Sequence, residues 1–509
     1  MSQKRLGIIL SYINLAVGMV SNLFLVPFLI KCLGDSDYSL YKVIQSFSGT
    51  LALFHLGIST IVTRSVVKHE ASPEAYTEED KKNTLALSIL ASFAMAICVI
   101  IVGIIIHSLI PSMYGNTFSP EDIILGQRLF SVFVAAAILH ILTDAFSGCI
   151  TGHEKYAVSA LIALLKSVAK IALYVIFLSC GFGVFYVVVA DFIIAFTVFC
   201  LSVLYSNCVL RELPKLVRFD KRQLLEILSF GSAILLQSFV NQVNNNVDTT
   251  ILGAVIEEKR IITMYSSALA IYSIYNSIVS VMASFFLPKA TRLVDKNASG
   301  EEITNFVIFP GRFQAMIAVA CIFGFALFGR NFITIWIGEE YMDAYWVVLI
   351  LMIPVTIPLV ENAMISVLDA SLKRIYRSVV LVVMAVLNIF VSILLVNLMG
   401  FWGAAVGTAA SLLIGHGLLM NWYYAKVYGL EIGRLFVSIF KGILPVGSVT
   451  SLLCLPISLF LPNTIAMFLL KCILFVIIYA ILLYRFGINK KEKSIFASLV
   501  RRFLRKRIK

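Results

Sequence analysis

The chain has 509 residues, 60% of them hydrophobic and 14% charged, with a formal net charge of +13. Soluble domains carry about 25% charged residues, so this apolar surplus cannot be hidden in one water-washed core and needs lipid as solvent. The nine cysteines and six histidines are scattered without ligand or framework spacing, which leaves no basis for a disulfide scaffold, a metal site or a bound cofactor.

A transmembrane helix takes roughly 20 mostly apolar residues, and such runs follow one another along the whole chain. The first, Ile8 to Ile30, is preceded by Lys4 and Arg5 like a signal peptide, but it is too long for an h-region and no small-residue cleavage site follows. It is expected to be a retained first span. Fourteen spans are predicted in all, at 8–30, 39–61, 84–107, 122–146, 156–179, 183–204, 227–255, 262–287, 304–329, 343–367, 376–398, 401–424, 435–460 and 463–485. The longest hydrophilic stretch, Arg64 to Lys82, leaves no room for a soluble domain. With the N-terminus inside, thirty Lys and Arg fall in inside segments and four in outside ones. Positive residues collect on the cytoplasmic side, so an even span count with both termini cytoplasmic is expected. The net charge is then mostly this topology signal plus a basic tail from Lys490 to Lys509, whose nearest partners are anionic membrane lipids rather than nucleic acid.

A faint internal repeat runs through the chain. Leu10-Ser11-Tyr12 matches Leu228-Ser229-Phe230 at an offset of 218, and Lys155, Ser159, Gly181 and Phe182 match Arg374, Ser378, Gly400 and Phe401 at 219. The offset equals six spans. Two six-helix lobes of the same orientation, 1–220 and 221–430, are therefore expected, with two added helices at 431–487 and a cytoplasmic tail at 488–509. Transporters with parallel repeats bind substrate between the halves.

Ionisable residues inside spans point to function, because each costs about 2.5–3.5 kcal/mol at the bilayer centre. In span 5, Lys166 lies about 15 Å and Lys170 about 21 Å from the helix start. At 100° per residue they share a face with Lys155 and Ser159. This cationic ladder suits an anionic headgroup such as a diphosphate; the other reading pairs the lysines with Asp144 or Asp191. In span 7, Gln237, Asn241, Asn244, Asn245 and Asp248 fall within an arc of about 100°. Amides suit sugar hydroxyls, or else they join neighbouring helices; Asp248 also suits a coupling cation. Arg128 in span 4 and Glu361 in span 10 are further candidates for substrate contact, Arg312 and Lys471 weaker ones. Lys42 and Arg64 sit near span ends, where snorkelling accounts for them, and His55, His140 and His416 read as neutral packing residues. The chain has no phosphate-binding loop of the G-x-x-x-x-G-K-[ST] type and no G-x-S-x-G elbow. Transport would draw on a proton or sodium gradient, the membrane potential or the gradient of the substrate.

Several segments are similar to known signatures. Leu33-Gly34-Asp35-Ser36-Asp37-Tyr38-Ser39-Leu40-Tyr41 resembles the "LG-x-x-x-YG-x-Y" segment of polysaccharide flippases, with Ser39 in place of the usual glycine. Leu56-Gly57-Ile58 through Arg64, Gly152-His153-Glu154-Lys155-Tyr156, and Asn246-Val247-Asp248 through Leu252-Gly253 and Tyr265 resemble three further segments in the same order. The resemblance is to the O-antigen and exopolysaccharide flippases of the multidrug/oligosaccharidyl-lipid/polysaccharide exporter superfamily. It implies an all-α polytopic fold in the bacterial inner membrane and no enzymatic activity. It also implies alternating access to a cavity between two lobes, with an undecaprenyl-diphosphate-linked oligosaccharide as substrate and a polysaccharide polymerase and other assembly proteins as partners. By resemblance to the lipid II flippases, a cation site would join Asp248, Asn388 and Thr408, although Ser392 stands where those relatives carry a second acid. Two rivals are a multidrug extruder of the same superfamily and a membrane glycosyltransferase or polymerase, for which Asp35-x-Asp37 would be the metal-binding pair.

Overall fold

The computed structural model describes residues 3–55, 57–74, 76–219, 221, 225, 242, 246–280, 287–296, 298–371, 374–490 and 492–494. These form helices joined by turns, with no strand among them, as expected of an all-α membrane protein. The chain divides into two compact units, the first Met1–Ser266 with Ile389–Ala404, the second Ser267–Asn388 with Ala405–Lys509.

In the first unit, α1 (Gln3–Leu51) carries the first two expected spans and is broken at Gly34, where φ is 70° and ψ 177°. Glycine is the residue that adopts such a backbone without a Cβ clash. A turn at Ala52–His55 and a left-handed Gly57 (φ 59°) lead into α2 (Ile58–Ala71). The expected end of span 2 at 61 therefore falls inside a helix. The reason is tertiary: α2 lies on α4 (Pro120–Gly152), where a Cβ added to Gly148 would sit 2.6 Å from the Ser59 carbonyl oxygen and one added to Gly152 2.6 Å from Val66 Cβ. Small residues four apart let two helices approach this closely. The helix α3 (Glu78–Tyr114) and α4 begin with reciprocal capping boxes, Thr77 with Asp80 and Ser119 with Asp122. These satisfy the first amides of each helix and extend it past the apolar run read from sequence. Next come α5 (Tyr156–Ser179), α6 (Val184–Leu204) with a π-helical turn at Tyr205–Val209, and α7 (residues 246–255). The helix α8 (Lys259–Ser280) runs from the first unit into the second.

The segment after α6 is tied down by Glu212, which is 3% exposed. Its Oε1 accepts from Lys81 Nζ at 2.6 Å and from His153 Nε2 at 2.7 Å, while His153 Nδ1 lies 2.9 Å from Glu70. Both ring nitrogens thus face carboxylates, which requires the doubly protonated imidazolium. The Glu212 bond holds the His153 pKa above its usual value. Burial pushes the Glu212 carboxyl up, but the His153 and Lys81 hydrogen bonds outweigh it and hold the pKa below the usual value.

The second unit contains α9 (Leu287–Asp295), α10 (Gly300–Trp336), α11 (Ala344–Val360), α12 (Ala363–Ala370), most of α13 (Arg374–Met399) and α14 (Phe401–Leu412). A π-helical stretch, Leu413–Met420, passes into α15 (Asn421–Tyr428); α16 (Ile432–Phe440), α17 (Ile443–Phe460) and α18 (Ile465–Leu482) complete the unit. Two expected spans are broken. Span 10 stops at a turn over Glu361 and Asn362, after Pro354 and Pro358 within α11. Span 13 divides into α16 and α17 at Gly442, whose φ is 79°. The two glycines paired by the 219-residue offset, Gly181 after α5 and Gly400 after α13, are both left-handed, at φ 82° and 62°.

Arg312 of α10 fastens the last helices to this unit. Its guanidinium donates to Glu492 Oε1 at 2.6 Å and Oε2 at 3.3 Å, and to the carbonyls of Ser438, Ile439, Lys441 and Gly487 at 2.6, 3.3, 3.1 and 2.8 Å. These carbonyls lie at the ends of α16 and of the π-helical turn Leu483–Gly487, where helix oxygens have no intrahelical partner. Lys471 is likewise structural: buried in α18, it donates to the Ser458 carbonyl at 3.3 Å and Asn463 Oδ1 at 3.1 Å.

Candidate functional site

A polar constellation within a membrane-spanning region lies in the first unit, between the second half of α1 and helices α5 and α6. Lys42 Nζ donates to Gln45 Oε1 at 3.2 Å, and Gln45 Nε2 donates to the Tyr41 hydroxyl at 2.9 Å. The hydroxyls of Tyr41 and Tyr174 are 3.1 Å apart, and Tyr174 donates to Asp191 Oδ2 at 2.8 Å. Because Tyr174 spends its proton on Asp191, Tyr41 is the donor between the two phenols. Asp191 Oδ1 meets Lys170 Nζ at 3.3 Å. A directed chain of hydrogen bonds therefore runs from Lys42 to a single carboxylate that Lys170 approaches from the other side. Lys170 also lies over the Tyr174 ring, 5.0 Å from its centroid, and Lys42 over Tyr38 and Tyr41 at 5.6 and 5.7 Å. Such cation–π contacts stabilise a cation away from bulk water.

Charge is out of balance here. Lys166, one turn before Lys170, has no carboxylate partner among the described residues. Three lysines gather around one aspartate, and of the three Lys170 alone meets it at ion-pair distance. Helix α5 also shows two accessible faces. Leu161, Leu165, Val168 and Ile176 are exposed along one stripe, and Lys166 is exposed on another. At 100° per residue Lys166 lies roughly 120° from the centre of the apolar stripe. The apolar stripe suits lipid, and the lysine face suits a water-filled cavity, since charged groups in membranes turn to cavities or partners.

The expected site residues are distributed as follows. Lys166 and Lys170 lie in this constellation. Lys155 caps the start of α5 and is partly exposed, and Arg128 is exposed on α4. Gln237, Asn241 and Asn245, like Asn244, lie outside the described residues. Asp248 is buried in the first unit and accepts from the Tyr265 hydroxyl at 2.7 Å. In the second unit Thr408 Oγ1 donates to Asn388 Oδ1 at 3.1 Å, and Ser392, which belongs to the first unit, is buried. Glu361 is 2% exposed at the break between α11 and α12.

Two readings change. Lys42 does not reach to the membrane surface but joins the hydrogen-bonded chain, because Gln45 one turn on and two tyrosine rings give its ammonium a nearer home. His55 is not an isolated packing residue, since its Nδ1 lies 2.7 Å from Asp144. The fold adds Tyr41, Gln45 and Tyr174 to the site, which charge and depth in the helix do not mark. The signal was present in the i, i+4 spacing of Tyr41 and Gln45, and in Tyr174 lying one turn after Lys170.

The comparisons with known proteins bear on the family and the fold. A family described as "Polysaccharide biosynthesis protein" matches residues 5–294. No curated protein matches the chain by sequence at a significant level. Among solved structures, a lipid II flippase, MurJ, in an inward closed conformation superposes with a TM-score of 0.73 at 14% identity, over 97% of this chain and 99% of that one. A multidrug resistance MATE transporter of the MOP superfamily in an inward-facing conformation superposes with a TM-score of 0.65 at 15% identity, over 82% of this chain and 96% of that one. At such identity these likenesses speak for the fold, and the family match speaks for the lineage. The chain is a multi-pass membrane protein with the fold shared by these flippases and exporters, and it belongs to the polysaccharide biosynthesis protein family.

Proposed function

We propose that this protein is a flippase that moves an undecaprenyl-diphosphate-linked oligosaccharide from the cytoplasmic to the outer leaflet of the bacterial inner membrane, by alternating access, for cell-surface polysaccharide. The observation that carries the reading is the gathering of three lysines, Lys42, Lys166 and Lys170, around one carboxylate, Asp191. A diphosphate brings the complementary negative charge and several acceptor oxygens. In a low-dielectric site such charge-assisted hydrogen bonds are stronger than in water. Lys155 and Arg128 extend the cationic path, and the amides Gln237, Asn241 and Asn245 would meet the sugars. Asp248, Asn388 and Thr408 are the residues proposed for cation coupling. Both termini are placed in the cytoplasm, and a polysaccharide polymerase and other assembly proteins would act on the delivered unit. A multidrug extruder needs a cavity that attracts cationic compounds, and the excess charge here has the opposite sign.

The test is surface glycan in a strain lacking the gene. Lys166→Ala and Lys170→Ala are expected to accumulate as folded protein and to abolish surface glycan, while Lys170→Arg keeps part of it, because the charge stays although its geometry differs. Lys166→Cys and Lys170→Cys are expected to react with a water-soluble thiol reagent. Normal glycan in both alanine variants, with both cysteines unreactive, would refute the reading.

A further inference from the structure

Glu361 stands apart from every other described carboxylate inside the helices. It is 2% exposed, and neither carboxyl oxygen has a hydrogen-bond donor among the described residues. The nearest polar group is the Asn421 amide. Its Nδ2 donates to the carbonyls of His416 and Gly417 at 3.0 and 3.3 Å, and its Oδ1, also buried, has no donor. Those two carbonyls settle which end of the amide is nitrogen. Glu361 Oε1 and Oε2 and Asn421 Oδ1 are thus three buried oxygens without a well-formed hydrogen bond among the described residues, and the donor beside the carboxyl, Asn421 Nδ2, is spent on backbone carbonyls.

Among the described residues no cation pairs with the carboxylate. From α15, the facing titratable group is Tyr424, a neutral phenol. Arg377 acts on Tyr424 and on His416 rather than appearing at the carboxyl. On α10, Arg312 is committed to Glu492. On α9, Lys289 lies over the Phe306 ring, 5.5 Å from its centroid. An ionised carboxylate buried without a counter-ion is strongly disfavoured relative to one in water. A proton removes that charge and gives the carboxyl a donor of its own.

The place of Glu361 adds a mechanical meaning. It is the residue at which α11 stops, three residues after Pro358 and immediately before the turn into α12. Breaks of this kind absorb backbone rotation when helices shift. We propose that Glu361 is a proton-binding site: it holds a proton in this conformation and passes it to water when the break between α11 and α12 opens, so that one proton is taken up and released per conformational cycle. The step is a simple transfer. The carboxyl O–H bond breaks, water becomes hydronium, and the carboxylate left behind is hydrated until the break closes and a proton returns.

Infrared spectroscopy of the full-length protein at neutral pH tests the first half, whatever the protein carries. The wild type is expected to show a protonated-carboxyl stretch that shifts in D2O and is missing in Glu361→Gln. Asn421→Ser should move that band. A Glu361→Gln spectrum that keeps the band, or loses a carboxylate band instead, overturns the assignment. The second half rests on the flippase reading and uses surface glycan. Glu361→Gln, a permanent mimic of the protonated acid, is expected to accumulate normally and lose at least tenfold in surface glycan, whereas Glu361→Asp retains part of it. Wild-type glycan from Glu361→Gln would show that no proton is exchanged. If the glutamine variant fails to accumulate, Glu361→Asp carries the infrared test, with a shifted band expected and an unshifted one against the proposal. Failure of the flippase reading would leave the infrared result standing, so the two can fail separately.

Discussion

Arg312 and Lys170 are both cations placed inside apolar helices, and the two units hold them in opposite ways. Arg312 meets two carboxylate oxygens of Glu492 and four carbonyl oxygens, and the Arg312 and Glu492 side chains are 8% and 1% exposed. Every donor direction of the guanidinium is used and the charge is cancelled locally. Lys170 has one carboxylate oxygen at 3.3 Å, side chains 35% and 19% exposed, and two further lysines competing for the same aspartate. Intramembrane charge is thus not one kind of signal. A saturated, dry cation holds helix ends together. An unsaturated, partly exposed cation keeps donor directions that the fold has not spent.

The comparison is broken most severely at Arg312. Arg312→Ala leaves Glu492 buried and unpaired, which costs about 3–5 kcal/mol. The expected outcome is loss of most folded protein on detergent size-exclusion chromatography. Arg312→Lys should fail nearly as badly, because one ammonium cannot serve carbonyls on two helix ends and a carboxylate together. A normal elution profile for Arg312→Ala would remove the distinction between the two cations.

A smaller effect is expected at Lys170. Its pair with Asp191 is partly exposed and screened, so a double-mutant cycle with Lys170→Ala and Asp191→Ala should give a coupling of about 1 kcal/mol or less in thermal stability. A coupling as large as that expected at Arg312 would make Lys170 a structural residue.

The smallest effect concerns the Glu212 anchor, where the sign of the pH dependence is opposite for its two ends. The pKa of His153 is raised above 6.5, so its contribution is fully present below pH 6.5 and is lost as pH rises through the raised value. The pKa of Glu212 is lowered below 4.5, so its contribution is present above pH 4.5 and is lost as pH falls through the lowered value. The anchor is strongest from about pH 4.5 to 6.5. Hydrogen exchange across residues 210–219 should therefore quicken on going from pH 6 to pH 9, after correction for intrinsic rates, and His153→Gln should flatten that dependence. Exchange with the same pH profile in both proteins would rule the imidazolium out as the anchor.

The sequence by itself determined the solvent, the class of fold and where most helices lie. Long apolar runs admit one solution in lipid, a helix that satisfies its own backbone, so 156–179 could be read to the residue as Tyr156–Ser179. Depth in the helix and the 100° period likewise put Lys166 and Lys170 on one face. Tertiary structure decided what composition could not carry: where helices break and which charges are compensated. Gly34, Gly57 and Gly442 adopt left-handed backbones that the apolar pattern does not announce, and the break at Glu361 divides a run whose length and hydropathy read as one span. Whether a buried cation is a rivet or a binding group depends on partners far along the chain. Arg312 finds Glu492, 180 residues away, while Tyr41 reaches Tyr174 across 133 residues. Hydrophobic periodicity is a local property of the chain, whereas electrostatic compensation is a sum over neighbours that folding brings together.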